Sequence, residues 1–210
     1  MPAERHESTV APPLDPASYV DFPAYAVEGA TAWHRVHHRR HSPWWYSCAP
    51  GRFNLREPRG TLNTASSPET AVREMLGPRL VGSRRIPGVQ VAGLLVTPLE
   101  PGPLRVADLL SGRAARYGAV AGDMSAPRED AYALTRAWAK ALDEAGFDGV
   151  RSRARFGAGS CPECLYVFGP AGEHEAGASG ESLKVPALLE REMDLAVDPV
   201  LDSADLVMED

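Results

Sequence analysis

Two arginines and one glutamate in the N-terminal half of the chain have the side-chain types needed to bind and cleave an anionic sugar phosphate. Arg35 and Arg52 carry planar guanidinium groups, which pair with phosphate or carboxylate oxygens through parallel hydrogen bonds. Glu74 supplies a carboxylate, which stabilises the positive charge that develops on a sugar as its glycosidic bond breaks. These residues are therefore candidates for an anion-binding, bond-cleaving site. The same residue types leave open a set of surface salt bridges.

The spacing of apolar and turn-forming residues predicts the elements that would position this trio. A short strand is predicted near Ala32 to His37, and a second one over Gly60 to Ala65. The run Ser67-Pro68-Glu69 is typical of a helix start, because a serine cap is followed by a first-turn proline and a nearby acid. We expect this helix to reach about Leu76, so Glu74 would lie near its C-terminal end.

The remainder of the chain predicts a mixed α+β fold in which short strands dominate. The stretch from Arg128 to Ala145 is the clearest helix, because its apolar residues recur at helical spacing and Gly146 ends it. Tyr132, Trp138 and Leu142 are expected on the core face of this helix. Further strands are predicted over Val89 to Thr97, Leu104 to Leu110, Phe147 to Arg153 and Leu165 to Phe168.

Composition restricts the class of protein. The 210 residues contain 44% hydrophobic residues, which is enough to bury a core and excludes a wholly disordered chain. No apolar run approaches the ~18 residues of a membrane span, and the N-terminus lacks the apolar region of a signal peptide. Three cysteines do not make a disulfide framework. We therefore expect a soluble, cytoplasmic protein that does not bind a membrane.

Charge is divided unevenly along the chain. The formal net charge is −6, from 22 Lys and Arg against 28 Asp and Glu. Residues 33–60 form a basic block whose only acid is Glu57, whereas acids dominate from Glu190 onward. A basic block in an acidic protein indicates a local anionic ligand, and the net charge argues against direct nucleic-acid binding.

Three segments are predicted from these patterns. Residues 1–28 are rich in proline and are expected to form a loose leader, and residues 29–170 are expected to form a single domain. Residues 171–210 are expected to comprise a Gly- and Ala-rich linker and an acidic tail. The apolar spacing in this tail leaves open a packed helix, an interaction segment, or a cover over the basic block.

Several motifs in order resemble the RES domain family, which is named for its Arg, Glu and Ser. The N-terminal motifs are His34-Arg35-Val36, Ser42-Pro43-Trp44-Trp45-Tyr46, Gly51-Arg52-Phe53-Asn54, Gly60-Thr61-Leu62 and the run from Ser66 to Glu74. The later motifs are Ala137-Trp138-Ala139, the run from Gly146 to Arg151, and Tyr166-Val167-Phe168. The resemblance extends from about Trp33 to Gly169.

The resemblance implies a fold, a chemistry and a partner. It implies an ADP-ribosyltransferase-like split β-sheet and an enzyme that consumes NAD as its substrate by cleaving the nicotinamide–ribose bond. The acceptor of the ADP-ribosyl group would be water, phosphate or a protein, and the enzyme would need no metal. Many members of the family are toxins of toxin–antitoxin pairs whose partner is an Xre-like helix-turn-helix antitoxin. A homodimer is also possible by this resemblance.

Site residues follow from the same resemblance. It assigns Arg35 and Glu74 to catalysis, with Glu74 near the nicotinamide ribose. It assigns NAD contacts to Arg35, Arg52, Asn63, Ser152 and Arg155. Two positions depart from the family pattern, because Asn63 stands where a tyrosine is usual and Ala154 where a serine is usual. The alternative function is therefore a weakened RES-like binding or interaction protein without NAD turnover.

A metal site is the remaining chemical alternative. Cys161 and Cys164 form a Cys-x-x-Cys pair that, with Cys48 and the histidines of the basic block, has the ligand types of a zinc site. Zinc sites of this kind usually need two such pairs, so we favour a loop with ordinary thiols. The histidines His34, His37, His38 and His41 alternate between the two faces of a strand and are expected to form a solvated basic edge.

Overall fold

A nine-stranded, mostly antiparallel sheet forms the centre of the computed structural model, which describes residues 10–125, 132–174 and 177–200. The strands are β1 (Ala24–Val27), β2 (Trp33–His38), β3 (Trp45–Tyr46), β4 (Arg59–Ala65), β5 (Arg85–Pro87), β6 (Leu94–Glu100), β7 (Leu104–Asp108), β8 (Gly149–Arg153), β9 (Glu163–Pro170), β10 (Gly172–Glu173), β11 (Ala178–Ser179), β12 (Leu183–Lys184) and β13 (Ala196–Asp198). The α-helices are α1 (Pro68–Leu76), α2 (Gly88–Val91), α3 (Ala121–Ser125), α4 (Tyr132–Glu144) and α5 (Val185–Glu192), with short 3-10 helices at Pro16–Tyr19, Gly77–Leu80 and Gly112–Tyr117.

The sheet is divided into two halves. Its strand order is β1-β7-β8-β9-β4-β2-β6-β11, with β12 also paired to β6 and with β7 and β8 parallel. β4 pairs with β9 along its whole length, and β2 pairs with β6 from Trp33 to His38. By contrast, β2 and β4 share the single register pair His34↔Ala65. The two halves therefore diverge beyond this pair and leave room between them for side chains.

Alternation along the central strands assigns side chains to two cores. On β4 and β9, Leu62, Leu165 and Val167 face a smaller cluster that contains Trp33 and Trp44. The other face packs against the helices and carries the larger cluster, in which Trp138 is fully buried. Because a strand exposes alternate residues to opposite faces, Asn63, Cys164 and Tyr166 all point toward the helical face.

Most predicted elements are present close to their expected bounds. The helix start at Ser67 is correct: its Oγ accepts a hydrogen bond from the Thr70 N–H at 3.1 Å, and α1 ends at Leu76. In contrast, the strand predicted over Val89 to Thr97 is wrong at its beginning. Residues Gly88–Val91 form a helical turn, and β6 begins at Leu94, after Gly93 has turned the chain with a φ of 75°.

The N-terminal segment differs from the expected loose leader over residues 10–28. Tyr19 and Phe22 are buried against Trp138, and the indole Nε1 of Trp138 donates to the carbonyl of Ala11 at 2.9 Å. β1 pairs with β7 at one edge of the large sheet. Prolines in this segment shape turns within a packed structure, because the intervening aromatic residues bury enough apolar surface to order it. Residues 1–9 lie outside the described residues.

The C-terminal segment also packs on the domain over residues 177–200. β11 and β12 pair with β6, and α5 buries Val185 and Leu189 completely. β13 pairs in parallel with β5. The expectation of a packed helix within this segment is met by α5, whereas the last acidic residues, 201–210, lie outside the described residues. None of the helices in the described ranges has the length and apolar character of a membrane span.

Candidate active site

A cavity opens on the helical face of the sheet, where β2 and β4 diverge. Its volume is about 420 Å³, within the ~300–1,000 Å³ of small-molecule sites. Side chains of β2, β4, β9 and α1 line it, together with the loop before β4 and the loop after β8. Because β2 and β4 diverge, they leave a concave surface between them. Polar side chains line this surface in place of backbone hydrogen bonds between the two strands.

Five of the six residues assigned by the sequence line this cavity. They are Arg35, Arg52, Asn63, Glu74 and Arg155. The sixth residue, Ser152, does not line this cavity. Ser152 lies on β8, in register with Cys164, but it is one strand further from the opening and is fully buried beneath α3 and α4.

Glu74 is held by hydrogen bonds to both carboxylate oxygens. Its Oε2 accepts from Nη2 of Arg52 at 3.1 Å, and its Oε1 accepts from the backbone N–H of Phe156 at 2.5 Å. The side chain keeps 20% of its surface exposed. Two fixed donors on opposite oxygens orient the carboxylate while leaving it accessible from the cavity.

Most of the N–H groups of Arg52 donate hydrogen bonds to other groups of the protein. In addition to Glu74, its guanidinium donates to the Ser125 carbonyl at 2.5 Å and to the Tyr166 hydroxyl from both Nε, at 3.1 Å, and Nη2. Burial acts to lower the pKa of Arg52, but interactions with Tyr166, Cys164 and Glu74 outweigh it and raise the pKa above its usual value. Arg52 therefore remains a cation whose main contacts fix Glu74 and Tyr166 in the wall of the cavity.

Arg35 is in the opposite situation. Its Nε and Nη1 atoms are buried and have no hydrogen-bond partner among the described residues, and no carboxylate there forms an ion pair with it. Burial lowers the pKa of Arg35 to about 10, so the side chain is still charged at neutral pH. A half-buried cation without a counter-charge is costly. An anionic ligand in the cavity would offset this cost.

Other unpartnered polar atoms lie around the same cavity. The buried Oδ1 atoms of Asn54 and Asn63 and the Nδ1 atom of His34 have no partner within the described ranges. Burial lowers the pKa of His34, which therefore favours the neutral imidazole. Buried polar groups are normally hydrogen-bonded, so their concentration around one opening is characteristic of a site for a polar ligand.

Several cavity residues were not identified from the sequence. Tyr166 was recognised only as part of a strand motif, although its register pairing with Asn63 puts it on the cavity face. Phe156 lies in a loop without periodicity. The prediction that Tyr132 faces the helix core is wrong, because this side chain is 39% exposed and lines the cavity, unlike the buried Trp138.

Cys164 is buried beside Glu74 and Tyr166. Burial, followed by the negative charge of Glu74, raises the pKa of its thiol to about 12. Cys161 is exposed, and Cys48 is half-buried with its Sγ 3.5 Å from Glu57. In the described part of the chain, no group of three or more His, Cys, Asp or Glu side chains is arranged to hold a metal ion.

Comparisons with known proteins identify two similarities. A family model described as the RES domain matches residues 32–186 of this chain. The fold is similar to that in the crystal structure of the M. tuberculosis MbcT–MbcA toxin–antitoxin complex, with a TM-score of 0.59 and 17% sequence identity over 79% of this chain and 90% of that chain. No curated protein matches the chain. The structural similarity confirms the predicted α+β fold of ADP-ribosyltransferase type.

Proposed function

Because the chain belongs to the RES domain family, we propose that it is an NAD-consuming enzyme that cleaves the bond between nicotinamide and ribose. The observation that carries this proposal is the combination, in one cavity, of an oriented Glu74 and an Arg35 whose Nε and Nη1 atoms have no partner among the described residues. NAD carries a diphosphate and a positively charged nicotinamide ring. Its two kinds of charge therefore match the cation and the carboxylate.

Arg35 is the proposed diphosphate ligand. It has the charge and the planar donor geometry for phosphate oxygens, and no carboxylate of the described residues competes for it. Arg155, exposed at the cavity, and Asn63 are proposed as further contacts to the dinucleotide. Arg52 has most of its donors engaged and is proposed to act by positioning Glu74.

Glu74 is the proposed catalytic carboxylate. As the bond to nicotinamide lengthens, positive charge develops on the ribose, and a fixed carboxylate stabilises that charge more than it stabilises the ground state. The donors from Arg52 and from the Phe156 backbone fix the carboxylate before the reaction, so little reorganisation is needed during bond cleavage. No metal is required by this step.

The acceptor of the ADP-ribosyl group defines the reaction subtype. Water would make the protein an NAD glycohydrolase, phosphate would make it a phosphorylase, and a protein side chain would make it an ADP-ribosyltransferase. We further propose that it acts in the cytoplasm as the toxin of a toxin–antitoxin pair, with an Xre-like helix-turn-helix antitoxin as partner. The complex with an antitoxin in the similar M. tuberculosis structure supports this pairing. A homodimer is a further proposal.

Nicotinamide release from NAD tests the function directly. Purified protein should release nicotinamide, and Glu74→Gln should reduce the rate by roughly 10²–10³-fold, the usual loss when one electrostatic contact to a transition state is removed. Glu69→Gln is the matched control, because Glu69 lies on the same helix, has a side chain that is 42% exposed and, among the described residues, forms an ion pair only with Arg73, at 2.8 Å. We expect its rate to be unchanged.

Product analysis separates the subtypes and the alternative function. ADP-ribose, ADP-ribose 1-phosphate or a modified protein would identify water, phosphate or a side chain as the acceptor. Unchanged nicotinamide release by Glu74→Gln would refute the role of this carboxylate. Tight NAD binding without any release would instead identify a binding protein that has lost turnover.

A further inference from the structure

The backbone of Phe156 is hydrogen-bonded directly to the proposed catalytic carboxylate, Glu74. It lies in the loop that follows β8, and its backbone N–H donates to Oε1 of Glu74 at 2.5 Å. This bond fixes the Phe156 backbone against the carboxylate, and the residue also lines the cavity. An aromatic side chain is therefore anchored next to the group at which the glycosidic bond is proposed to break.

The position of the ring is constrained from a second side by the end of α1. Gly77, the C-cap of this helix, has a φ of 52°, and a Cβ atom built there would lie 3.3 Å from Cε2 of Phe156. The absence of a side chain at Gly77 therefore leaves room for the ring. The same short segment that ends the Glu74 helix thus also seats Phe156.

The face of this ring already attracts a cation. The guanidinium carbon of Arg155 lies 5.0 Å from the Phe156 centroid, within the range of cation–π interactions. Arg155 is exposed, so it can move away from the ring into water at little cost. A planar cation would gain the same electrostatic attraction together with stacking contact.

Two other aromatic residues of the described chain, Tyr166 and Tyr132, line the cavity, but neither has its backbone hydrogen-bonded to Glu74 as Phe156 has. The hydroxyl of Tyr166 accepts hydrogen bonds from Arg52, and its ring packs on Phe53 with centroids 4.8 Å apart. Tyr132 belongs to the start of α4, and among the described residues the hydrogen bonds to the Glu74 carboxylate come from Arg52 and the Phe156 backbone instead. Phe156 is thus the aromatic residue of the cavity that is fixed directly to this carboxylate.

We propose that Phe156 is the stacking platform for the nicotinamide ring of the substrate. The inference rests on the proposed function and specifies it further, because it assigns the pyridinium leaving group to one side chain. The nicotinamide of intact NAD is a planar cation, and it becomes neutral once the bond is broken. The platform therefore binds the substrate more strongly than the released nicotinamide.

Binding to an uncleavable substrate analogue tests this assignment. The probes are carba-NAD, in which a methylene group replaces the oxygen of the nicotinamide ribose, and ADP-ribose, which lacks nicotinamide. Phe156→Leu keeps the backbone N–H to Glu74 and much of the apolar volume but removes the π face. We expect it to weaken carba-NAD binding by roughly 5- to 30-fold, corresponding to ~1–2 kcal/mol, and to leave ADP-ribose binding within about twofold.

Two further variants complete the experiment. Phe156→Tyr keeps the aromatic face and should restore carba-NAD affinity. Trp45→Leu removes another exposed aromatic residue, which does not line the cavity, and should change neither affinity. In turnover, Phe156→Leu should raise KM for NAD by a similar factor while kcat changes much less, because stacking is present before the bond breaks.

The outcomes distinguish this inference from the proposed function. If the wild-type protein releases nicotinamide but Phe156→Leu weakens carba-NAD and ADP-ribose equally, or weakens neither, the platform is refuted and the function stands. A loss confined to kcat would mean that Phe156 only positions Glu74, which also refutes the platform. If the wild-type protein binds neither probe and releases no nicotinamide, both proposals fail.

Discussion

Removal of the Tyr166 hydroxyl group from the wall of the cavity should show how much the hydrogen bonds around Arg52 and Glu74 contribute to the stability of the protein. Tyr166→Phe deletes the oxygen that accepts hydrogen bonds from Nε and Nη2 of Arg52. The ring remains, so its packing against Phe53 is retained. The substitution therefore leaves two N–H groups of a cation that is only 8% exposed without an acceptor.

The expected cost follows from the number and type of these hydrogen bonds. A hydrogen bond to a charged group contributes roughly 1.5–3 kcal/mol, and the two bonds share one oxygen, so we expect a total of about 2–4 kcal/mol. For a domain of this size, each kcal/mol lowers the Tm by roughly 2–4 °C, which corresponds to a decrease of about 5–15 °C. Glu74 keeps its contact with the Phe156 N–H, so kcat should fall by about tenfold with little change in KM.

Thermal unfolding and urea denaturation of the purified variant provide the assay. Tyr117→Phe is the matched control, because Tyr117 packs against Tyr19 and Phe22 and its hydroxyl makes no hydrogen bond within the described residues. We expect this control to lie within about 0.5 kcal/mol of the wild type. The reasoning would be refuted if Tyr166→Phe lost no more stability than this control.

Three further predictions concern pH, thiol reactivity and helix capping. Burial lowers the pKa values of His34 and His37 from 6.5, so the unfolded state binds more protons below that pH, and the free energy of unfolding should fall as pH decreases from 6.5 through the lowered values. Urea titrations at pH 7.5 and 5 should show this fall, and it should be smaller when both histidines are replaced by glutamine; an identical fall would contradict the assignment. The exposed Cys161 should react rapidly with a thiol reagent, whereas Cys164, with its thiol pKa raised to about 12, should react only when the protein is unfolded, as mass spectrometry of labelled peptides would reveal. Ser67→Ala should lower the free energy of unfolding by about 0.5–2 kcal/mol because α1 loses its cap, and Ser67→Asp should preserve it; equal denaturation midpoints for the alanine variant and the wild type would show that the cap is not needed.

Local patterns in the sequence predicted the elements that carry the site. The serine cap, first-turn proline and nearby acid predicted α1 with correct bounds, and the spacing of apolar and turn-forming residues predicted β4 over nearly its observed range. Such signals are readable because they arise from the backbone and from nearest neighbours along the chain. They also identified Arg35 and Glu74 as residues with suitable chemistry, and both line the cavity.

The packing of the segments near the two ends of the chain could not be predicted from local sequence patterns. Residues 10–28 looked like a leader because prolines interrupt any periodic pattern, yet Tyr19 and Phe22 are buried against Trp138. Similarly, the Gly- and Ala-rich residues after Gly169 include short strands that pair with β6. A strand of two residues has no detectable alternation, and only the edge of an existing sheet gives it a partner.

The sequence by itself determined which residue types are available and which local elements hold them: two arginines, a glutamate on a capped helix, and several short strands. The tertiary structure decided how these residues are used. It joined Arg52 to Tyr166, 114 positions away, and to Glu74, while it left Arg35 without a counter-charge among the residues that the structure describes. Residue types set what a side chain can bond to, but the choice among possible partners depends on which strands and loops become neighbours. That is fixed only when the two halves of the sheet pair at His34 and Ala65 and diverge beyond this pair.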